Sequence, residues 1–175
     1  MLDLAALRMV RAALAHPETG VEAQLLALPL DGDDARPEPP AAILDATADD
    51  SVTGKHPVAD WPLLVLACEH PAGATRAGAG GFALDVPSLL LGVAYATRNT
   101  AEAAESYRAT SYTLAAAMRA LEVGLFAPAA HAARRRGPVG IVQCHAMTFG
   151  PVGHDIPGGK VTGAILLDLH VRRDP

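Results

Sequence analysis

The stretch LLLGVAYATRNTAEAAESYRATSYTLAAAMRAL, from Leu89 to Leu121, decides the fold because a strand pattern runs directly into a long helix pattern. Residues 89–96 alternate, so that one face carries the larger apolar side chains and the other is mostly small, which predicts a strand. Asn99 followed by Glu102 has the spacing of a helix capping box. The stretch therefore predicts a strand that leads into a helix, and it contains no catalytic motif.

Within the predicted helix, selected side chains recur at steps of three and four residues, which predicts one buried stripe. The stripe consists of Tyr107, Ser111, Leu114, Met118, Leu121 and Leu125. Gly124 and Pro128 predict the end of the helix, because both residues disfavour its continuation.

The residues before this unit predict a helix followed by a long loop. An amphipathic helix is predicted over Leu4–Ala15, closed by Pro17 and Gly20, with a buried stripe of Leu7, Val10 and Leu14. The next segment, VEAQLLAL, is compatible with a helical turn or a strand. Residues 29–62 are rich in Pro, Asp and Gly and predict a long loop inserted in a single domain, 1–175.

Four further segments have strand patterns. They are LLVLACEH (63–70), FALDVPSLLLGVAYATR (82–98), VGIVQCHAMTFG (139–150) and KVTGAILLDLHVRR (160–173). The first two are predicted to pair antiparallel through PAGATRAGAGG, and the last two to form a long hairpin closed by PVGHDIPGG. In the last strand Val161, Ile165 and Leu167 alternate with Thr162, Ala164 and Leu166, as in a sheet with one covered face. The predicted fold class is α+β: a two-layer sandwich, with the N-terminal helix and one long central helix packed on one face of a mostly antiparallel sheet.

The amino-acid composition favours some classes of function and argues against others. Hydrophobic residues make up 50% of the 175 residues and charged residues 19%, which is typical of a subunit that buries part of its surface against other chains. The net charge of −5 argues against a dedicated nucleic-acid binder, which usually carries a basic face. Arg8 and Arg11 interrupt the N-terminal apolar pattern, so we expect a soluble protein without a signal sequence.

Two clusters of the sequence contain side chains that can bind metal ions. The acidic run Asp31–Asp34 resembles the start of an EF-hand loop, but Ala42 stands at the twelfth position, where the loop needs glutamate. A solvated acidic loop is the favoured interpretation.

Cys68 and His70 lie two residues apart on one predicted strand, and Cys144 or His145 from a neighbouring strand would complete a mixed zinc site. Cys144 and His145 face opposite sides of a regular strand, so both bind one ion only if the strand has a bulge. Core thiols and surface or interface histidines are the favoured interpretation, with a zinc-binding domain as an alternative.

Two glycine-containing segments are poor phosphate sites. The segment SVTGKH contains the Gly-Lys pair of a phosphate loop, but Asp49 replaces its first glycine and His56 replaces its Ser or Thr. The run Gly78–Gly81 precedes a strand and not a helix, so it favours a hairpin tip.

Neither of the two remaining polar clusters forms a recognisable catalytic site. His154 and Asp155 lie together in the last predicted hairpin loop, but the sequence identifies no nucleophile beside them. Arg134–Arg136 indicate either a solvated connection or contact with phosphate or an acidic partner. We therefore predict no catalytic, cofactor-binding or metal-binding residue, and no enzyme activity.

The order of elements resembles the tail-terminator (tail-completion) proteins of long-tailed bacteriophages and related gene transfer agents. The resemblance covers residues 1–173. It rests on the N-terminal amphipathic helix, the stretch AYATRNTAEAAESYRATSYTLAAAMRAL, and the closing hairpin that ends in LLDLHVRR. The segment 29–62 is longer than the family pattern predicts.

The resemblance implies a structural virion protein, assembled in the host cytoplasm. Such proteins form a ring, typically a hexamer, that caps the head-proximal end of the tail tube and stops its polymerisation. The ring also meets a neck or head-completion protein, and genome DNA passes through its lumen without specific binding. No cofactor is implied. The alternatives are another head–tail connector component, the zinc-binding domain, or an α+β domain that binds a small ligand.

Overall fold

The computed structural model describes residues 2–46, 62–70, 76–77, 83–85, 88–96, 100–127, 139–149, 153–155 and 160–173. These residues form helices α1 (Leu2–Leu14), α2 (Val21–Ala27) and α3 (Thr100–Leu121), followed by a π-helical turn (Glu122–Phe126). The strands are β1 (Ala42–Ala46), β2 (Leu63–His70), β3 (Arg76–Ala77), β4 (Ala83–Asp85), β5 (Ser88–Ala96), β6 (Val139–Phe149), β7 (Gly153–Asp155) and β8 (Lys160–Arg173). The chain therefore combines helices with a sheet, as predicted.

Strand β8 lies at the centre of the sheet. One side of β8 pairs with β5 and β4, and the other side pairs with β6 and β7, all antiparallel. Leu167, for example, is in register with Leu89 of β5 and with Met147 of β6. Beyond β5 lie β2 and then β1, whereas β3 pairs with β4. The two predicted antiparallel pairings, β2 with β5 and β6 with β8, are confirmed.

Helix α3 connects two strands that are not neighbours. It follows β5 and precedes β6, and β8 lies between these strands. Since β5 and β6 are each antiparallel to β8, they run parallel to each other. The segment that contains α3 thus connects β5 to β6 across the position of β8. Strand β8, the last in the sequence, lies between these two strands.

Strand β1 corrects the predicted loop at 29–62. It pairs in parallel with β2, from Ala42 opposite Leu63 to Ala46 opposite Ala67. The Ala41 amide donates a hydrogen bond to the Pro62 carbonyl (2.9 Å) at the start of the pair, and Ile43 packs against the core. The loop prediction is wrong over these five residues, because the Pro and Asp residues around them hid a short apolar strand. Residues 47–61 lie outside the described part of the chain.

One hydrophobic core joins the three helices to the sheet. Its strand residues are Leu64 and Leu66 of β2 and Ile165 and Leu167 of β8. The predicted stripe of α1 is confirmed, since Leu7, Val10 and Leu14 are all buried. The alternation predicted for β8 is also confirmed over 161–167, where Val161, Ile165 and Leu167 are buried and Thr162 is exposed.

The predicted stripe of α3 is wrong at its N-terminal half. Tyr107 is 45% exposed and Ser111 is exposed, whereas Leu114, Leu121 and Leu125 are buried. The buried face lies roughly a quarter turn away and consists mostly of small residues: Ala103, Ser106, Thr110, Thr113, Ala116, Ala117 and Ala120. These small side chains let α3 approach its neighbours closely, so its burial is not marked by large apolar residues.

The helix ends between Gly124 and Pro128, as predicted, but its last turn is not α-helical. It continues as a π-helical turn through Phe126, where the Ala127 amide donates to the Glu122 carbonyl (2.7 Å). A Cβ atom at Gly124 would lie 3.0 Å from the Ala13 Cβ atom. Glycine here permits close contact between α1 and the π-helical turn. The predicted cap Asn99 and Pro128 lie outside the described residues.

The ambiguous segment after Gly20 is helical, since it forms α2. Gly20 is required at the turn between α1 and α2, because a Cβ atom there would lie 2.4 Å from both the Leu14 and the His16 carbonyl oxygens. His16 stabilises the same turn. Its Nδ1 atom accepts hydrogen bonds from the Glu18 (3.2 Å) and Thr19 (3.3 Å) amides.

Candidate assembly surface

The acidic segment after α2 is tied to α3. Arg108 donates a hydrogen bond to Asp34 (Nη1 to Oδ1, 2.7 Å), and the Tyr112 hydroxyl donates to the other carboxylate oxygen (3.0 Å). The same hydroxyl accepts a bond from the Asp31 amide (3.1 Å). We call this set, Asp31, Asp34, Arg108 and Tyr112, the acidic clasp. The clasp fixes the path of the chain from α2 towards β1.

A second contact holds the start of this path. The Arg36 guanidinium donates to the Leu25 carbonyl and to the Leu28 carbonyl at the C-terminal end of α2. A positive charge is favourable there, because the last carbonyls of a helix carry a partial negative charge. Between the two aspartates of the clasp, Gly32 has a φ of 56°, and the Asp34 amide donates to the Asp31 carbonyl (3.1 Å), which makes a tight turn.

The clasp bears on the calcium interpretation of Asp31–Asp34. Both oxygens of the Asp34 carboxylate already bind groups of α3. Among the residues that the structure describes, no group of three or more His, Cys, Asp and Glu side chains is arranged to hold a metal ion. Asp31, Gly32 and Asp33 are exposed, as the solvated-loop interpretation predicts, whereas Asp34 is half-buried and docked on α3.

Strand order removes the basis of the zinc alternative. Cys68 lies on β2 and Cys144 on β6, with β5 and β8 between them. Neighbouring strands are about 4.8 Å apart, so these positions are separated by roughly 14 Å, whereas zinc–sulfur bonds measure about 2.3 Å. The expectation that these strands are neighbours was wrong. The register of β6 does shift between Cys144 and Ala146, but no strand beside it contributes Cys68 or His70.

The remaining candidate site residues lie in separate parts of the chain. His154 and Asp155 belong to β7, which pairs with β8, so the predicted hairpin loop is wrong over these residues. The segments Ser51–His56, Gly78–Gly81 and Arg134–Arg136 lie outside the described residues. The structure brings none of these described candidates together into a catalytic arrangement.

A small pocket lies where α1, α2, β1 and β2 meet. Its volume is about 170 Å³, and its wall exposes polar and apolar surface in about equal parts. The apolar residues of the wall include Leu14, Val21, Pro39, Pro40, Ile43 and Leu64. His16 and Glu22 contribute polar atoms, and Ala15 and Pro17 complete the wall. Pockets for nucleotides and cofactors are typically about 300–1,000 Å³. This pocket has the size for one or two side chains.

Three large hydrophobic side chains among the described residues are exposed: Leu26 (66%), Tyr107 (45%) and Val123 (45%). They lie on α2, on α3 and in the π-helical turn. Single exposed hydrophobic residues are common in monomers. Leu26 differs from the other two because it lies one helical turn from Glu22, which lines the pocket.

Among the described residues, four strands have a single neighbouring strand: β1, β3, β6 and β7. The two longest of them, β1 and β6, are unlike. Within the described ranges β1 pairs only with β2, in parallel, and β6 pairs only with β8, antiparallel. The β6 pairing contains two register shifts, between Ile141 and Gln143 and between Cys144 and Ala146. Such bulges twist a strand and limit indiscriminate pairing at a sheet edge. Among the described strands, β1 and β6 are therefore terminal strands of different kinds.

Comparison with protein-family models and with curated proteins finds no match for this chain. In the described residues, no helix has the length and apolarity needed to cross a membrane.

Proposed function

We propose that the chain is a structural subunit of a ring that caps the head-proximal end of a phage-like tail tube and joins it to the neck. In this proposal the subunit is a two-layer α+β sandwich, with its helices on one face of a mostly antiparallel sheet. The observation that carries the proposal is the pair of unlike sheet edges, β1 and β6.

Unlike edges suit a closed ring. A ring forms when one surface of a subunit binds a different surface of the next, and the rotation between them closes after a fixed number of copies. A parallel edge at β1 and a bulged antiparallel edge at β6 are two such surfaces. The resemblance to tail terminators supplies the number, six, and the position on the tube.

The internal polar contacts support a structural role. In the clasp, Asp34 binds Arg108 and Tyr112, and the Arg36 side chain binds backbone carbonyls at the end of α2. These charged groups order the chain's own segments. The net charge of −5 also suits a lumen through which DNA slides, because an acidic wall repels phosphate.

The test is tail length. Particles made without this chain should carry tubes of variable, extended length, since the cap that stops polymerisation is missing. Expression of the wild-type chain should restore a single length, and image classes of the restored particles should show a sixfold ring at the head-proximal end.

Two results would count against the proposal. Unchanged tube length in the absence of the chain would remove the capping role. Density for the chain at another axial position would instead favour the related alternative, a different head–tail connector component.

A further inference from the structure

The peptide bond between Asp31 and Gly32 lies in the exposed turn between the two aspartates of the clasp. Both residues are exposed, and Gly32 has a φ of 56°. A Cβ atom at Gly32 would meet no heavy atom within 4 Å, so the space beside this glycine is open. In the whole sequence, Asp31 is the one aspartate that glycine follows.

Two neighbouring groups of this turn are free to react with each other. Within the described part of the chain, neither the Asp31 carboxylate nor the Gly32 amide has a hydrogen-bond partner. Asp34 is the opposite case, because it is half-buried, both of its carboxylate oxygens bind groups of α3, and Ala35 follows it. The turn therefore contains one aspartate that is free to react and one that is held.

An Asp-Gly bond can rearrange because glycine has no Cβ atom to hinder its amide nitrogen. The Gly32 nitrogen attacks Cγ of the protonated Asp31 carboxyl group, and a nitrogen–Cγ bond forms. The Cγ–hydroxyl bond breaks, and the hydroxyl group leaves with the amide proton as water. Water then opens the five-membered succinimide ring. Attack at the main-chain carbonyl carbon breaks its bond to the Gly32 nitrogen and gives isoaspartate, whereas attack at Cγ restores aspartate.

We propose that Asp31 converts to isoaspartate in the folded chain, and that this modification opens the acidic clasp. In isoaspartate the main chain runs through Cβ and Cγ, so it gains one carbon atom, and the former main-chain carbonyl becomes a free carboxylate. The Asp34 amide thereby loses the peptide carbonyl to which it donates (3.1 Å). Asp34, three residues further on, is displaced from Arg108 and Tyr112. A reaction that needs only water thus releases the segment after α2 from α3.

Peptide mapping of the aged full chain measures the reaction. After incubation of the purified protein at neutral pH, electron-transfer mass spectrometry should find more isoaspartate at position 31 than at Asp33 or Asp34. The succinimide should appear first, lighter by one water. Asp31→Asn should form isoaspartate faster, because the side-chain amide is attacked without prior protonation and leaves as ammonia. The matched control is Asp31→Glu, which keeps the charge but would need a six-membered ring, so position 31 should stay unmodified.

Amide hydrogen exchange tests the consequence for the clasp. The fraction that contains isoaspartate, separated by chromatography, should exchange faster over residues 31–34 than the unmodified fraction, because the contacts that protect this segment are lost. Exchange over α1, Leu2–Leu14, is the internal control and should be the same in both fractions.

Three outcomes overturn this proposal. They are an isoaspartate level at position 31 that does not exceed the levels at Asp33 and Asp34, an Asp31→Asn chain that reacts no faster than the wild type, and equal exchange over residues 31–34 in the two fractions. Circular dichroism of each sample during incubation shows whether the chain was folded while the reaction took place.

Discussion

Asp34 and Arg108, which are 74 residues apart in the sequence, form an ion pair with 2.7 Å between Oδ1 and Nη1. The Asp34 side chain is 19% exposed and the Arg108 side chain 57% exposed, so water screens the pair in part. Tyr112, one helical turn after Arg108, holds the other carboxylate oxygen. The clasp thereby joins the segment after α2 to the long helix, and its two α3 residues make different contributions.

Tyr112→Phe tests the larger of these contributions. The change removes a hydroxyl that donates to Asp34 and accepts from the Asp31 amide. We expect a loss of about 1–2 kcal/mol in the free energy of unfolding, measured by urea denaturation. Amide hydrogen exchange should accelerate over residues 31–34. Tyr107→Phe, at an exposed tyrosine of the same helix, should change stability by less than about 0.5 kcal/mol.

A double-mutant cycle with Asp34→Asn and Arg108→Gln tests the ion pair. We expect a coupling free energy of about 0.2–1 kcal/mol at low salt. It should shrink in 1 M NaCl, where the Debye length is only about 3 Å. The control cycle combines Asp34→Asn with Arg119→Gln. Arg119 is an exposed arginine near the end of the same helix. The coupling free energy in this control cycle should be near zero. A coupling that persists at high salt would contradict the screened-pair interpretation.

The sequence predicted well the elements whose burial shows as large apolar residues at a regular period. Strand β2 (Leu63–His70) matches its predicted bounds, and β8 matches both its bounds and its buried face over 161–167. In both segments Leu, Val and Ile mark the strand.

The sequence failed where burial depends on small residues or on distant partners. The buried face of α3 is mostly Ala, Ser and Thr, so Tyr107 and Ser111 misplaced the stripe. Strand β1 is short, and its partner β2 follows after an intervening segment, so only the tertiary structure shows the parallel pair. The clasp links Asp34 to Arg108 across 74 residues, and no local pattern predicts such a contact.

The orientation of α3 can be tested with one small-to-large change on each side. Ala117→Leu inserts a large side chain at a buried position and should cost about 1–3 kcal/mol through overpacking. Ser111→Leu, at the exposed position that the sequence predicts to be buried, should stay within about 0.5 kcal/mol. Thermal and urea denaturation of both variants gives the comparison. A larger loss for Ser111→Leu would restore the sequence-based stripe and reject the observed one.

The two glycines that contact α1 should differ in their tolerance of alanine. At Gly20 a Cβ atom would lie 2.4 Å from two backbone oxygens, which cannot move without shifting the turn between α1 and α2. We expect Gly20→Ala to cost about 3 kcal/mol or more in the free energy of unfolding, the upper end for overpacking. At Gly124 the nearest atom is the Ala13 Cβ at 3.0 Å, a milder conflict.

In Gly124→Ala the gain in helix propensity, about 0.8–1 kcal/mol, offsets part of this conflict, so the net change should stay within about 1 kcal/mol. Urea denaturation of the two variants measures the difference. The steric conflict of Gly124→Ala comes from the Ala13 side chain, so Ala13→Gly should relieve it. The double variant should therefore be more stable than the sum of the two single changes predicts. Gly20→Ala should show no such gain with Ala13→Gly, since the backbone oxygens that it meets remain in place. Equal losses for Gly20→Ala and Gly124→Ala would mean that the turn after α1 is looser than the structure has it.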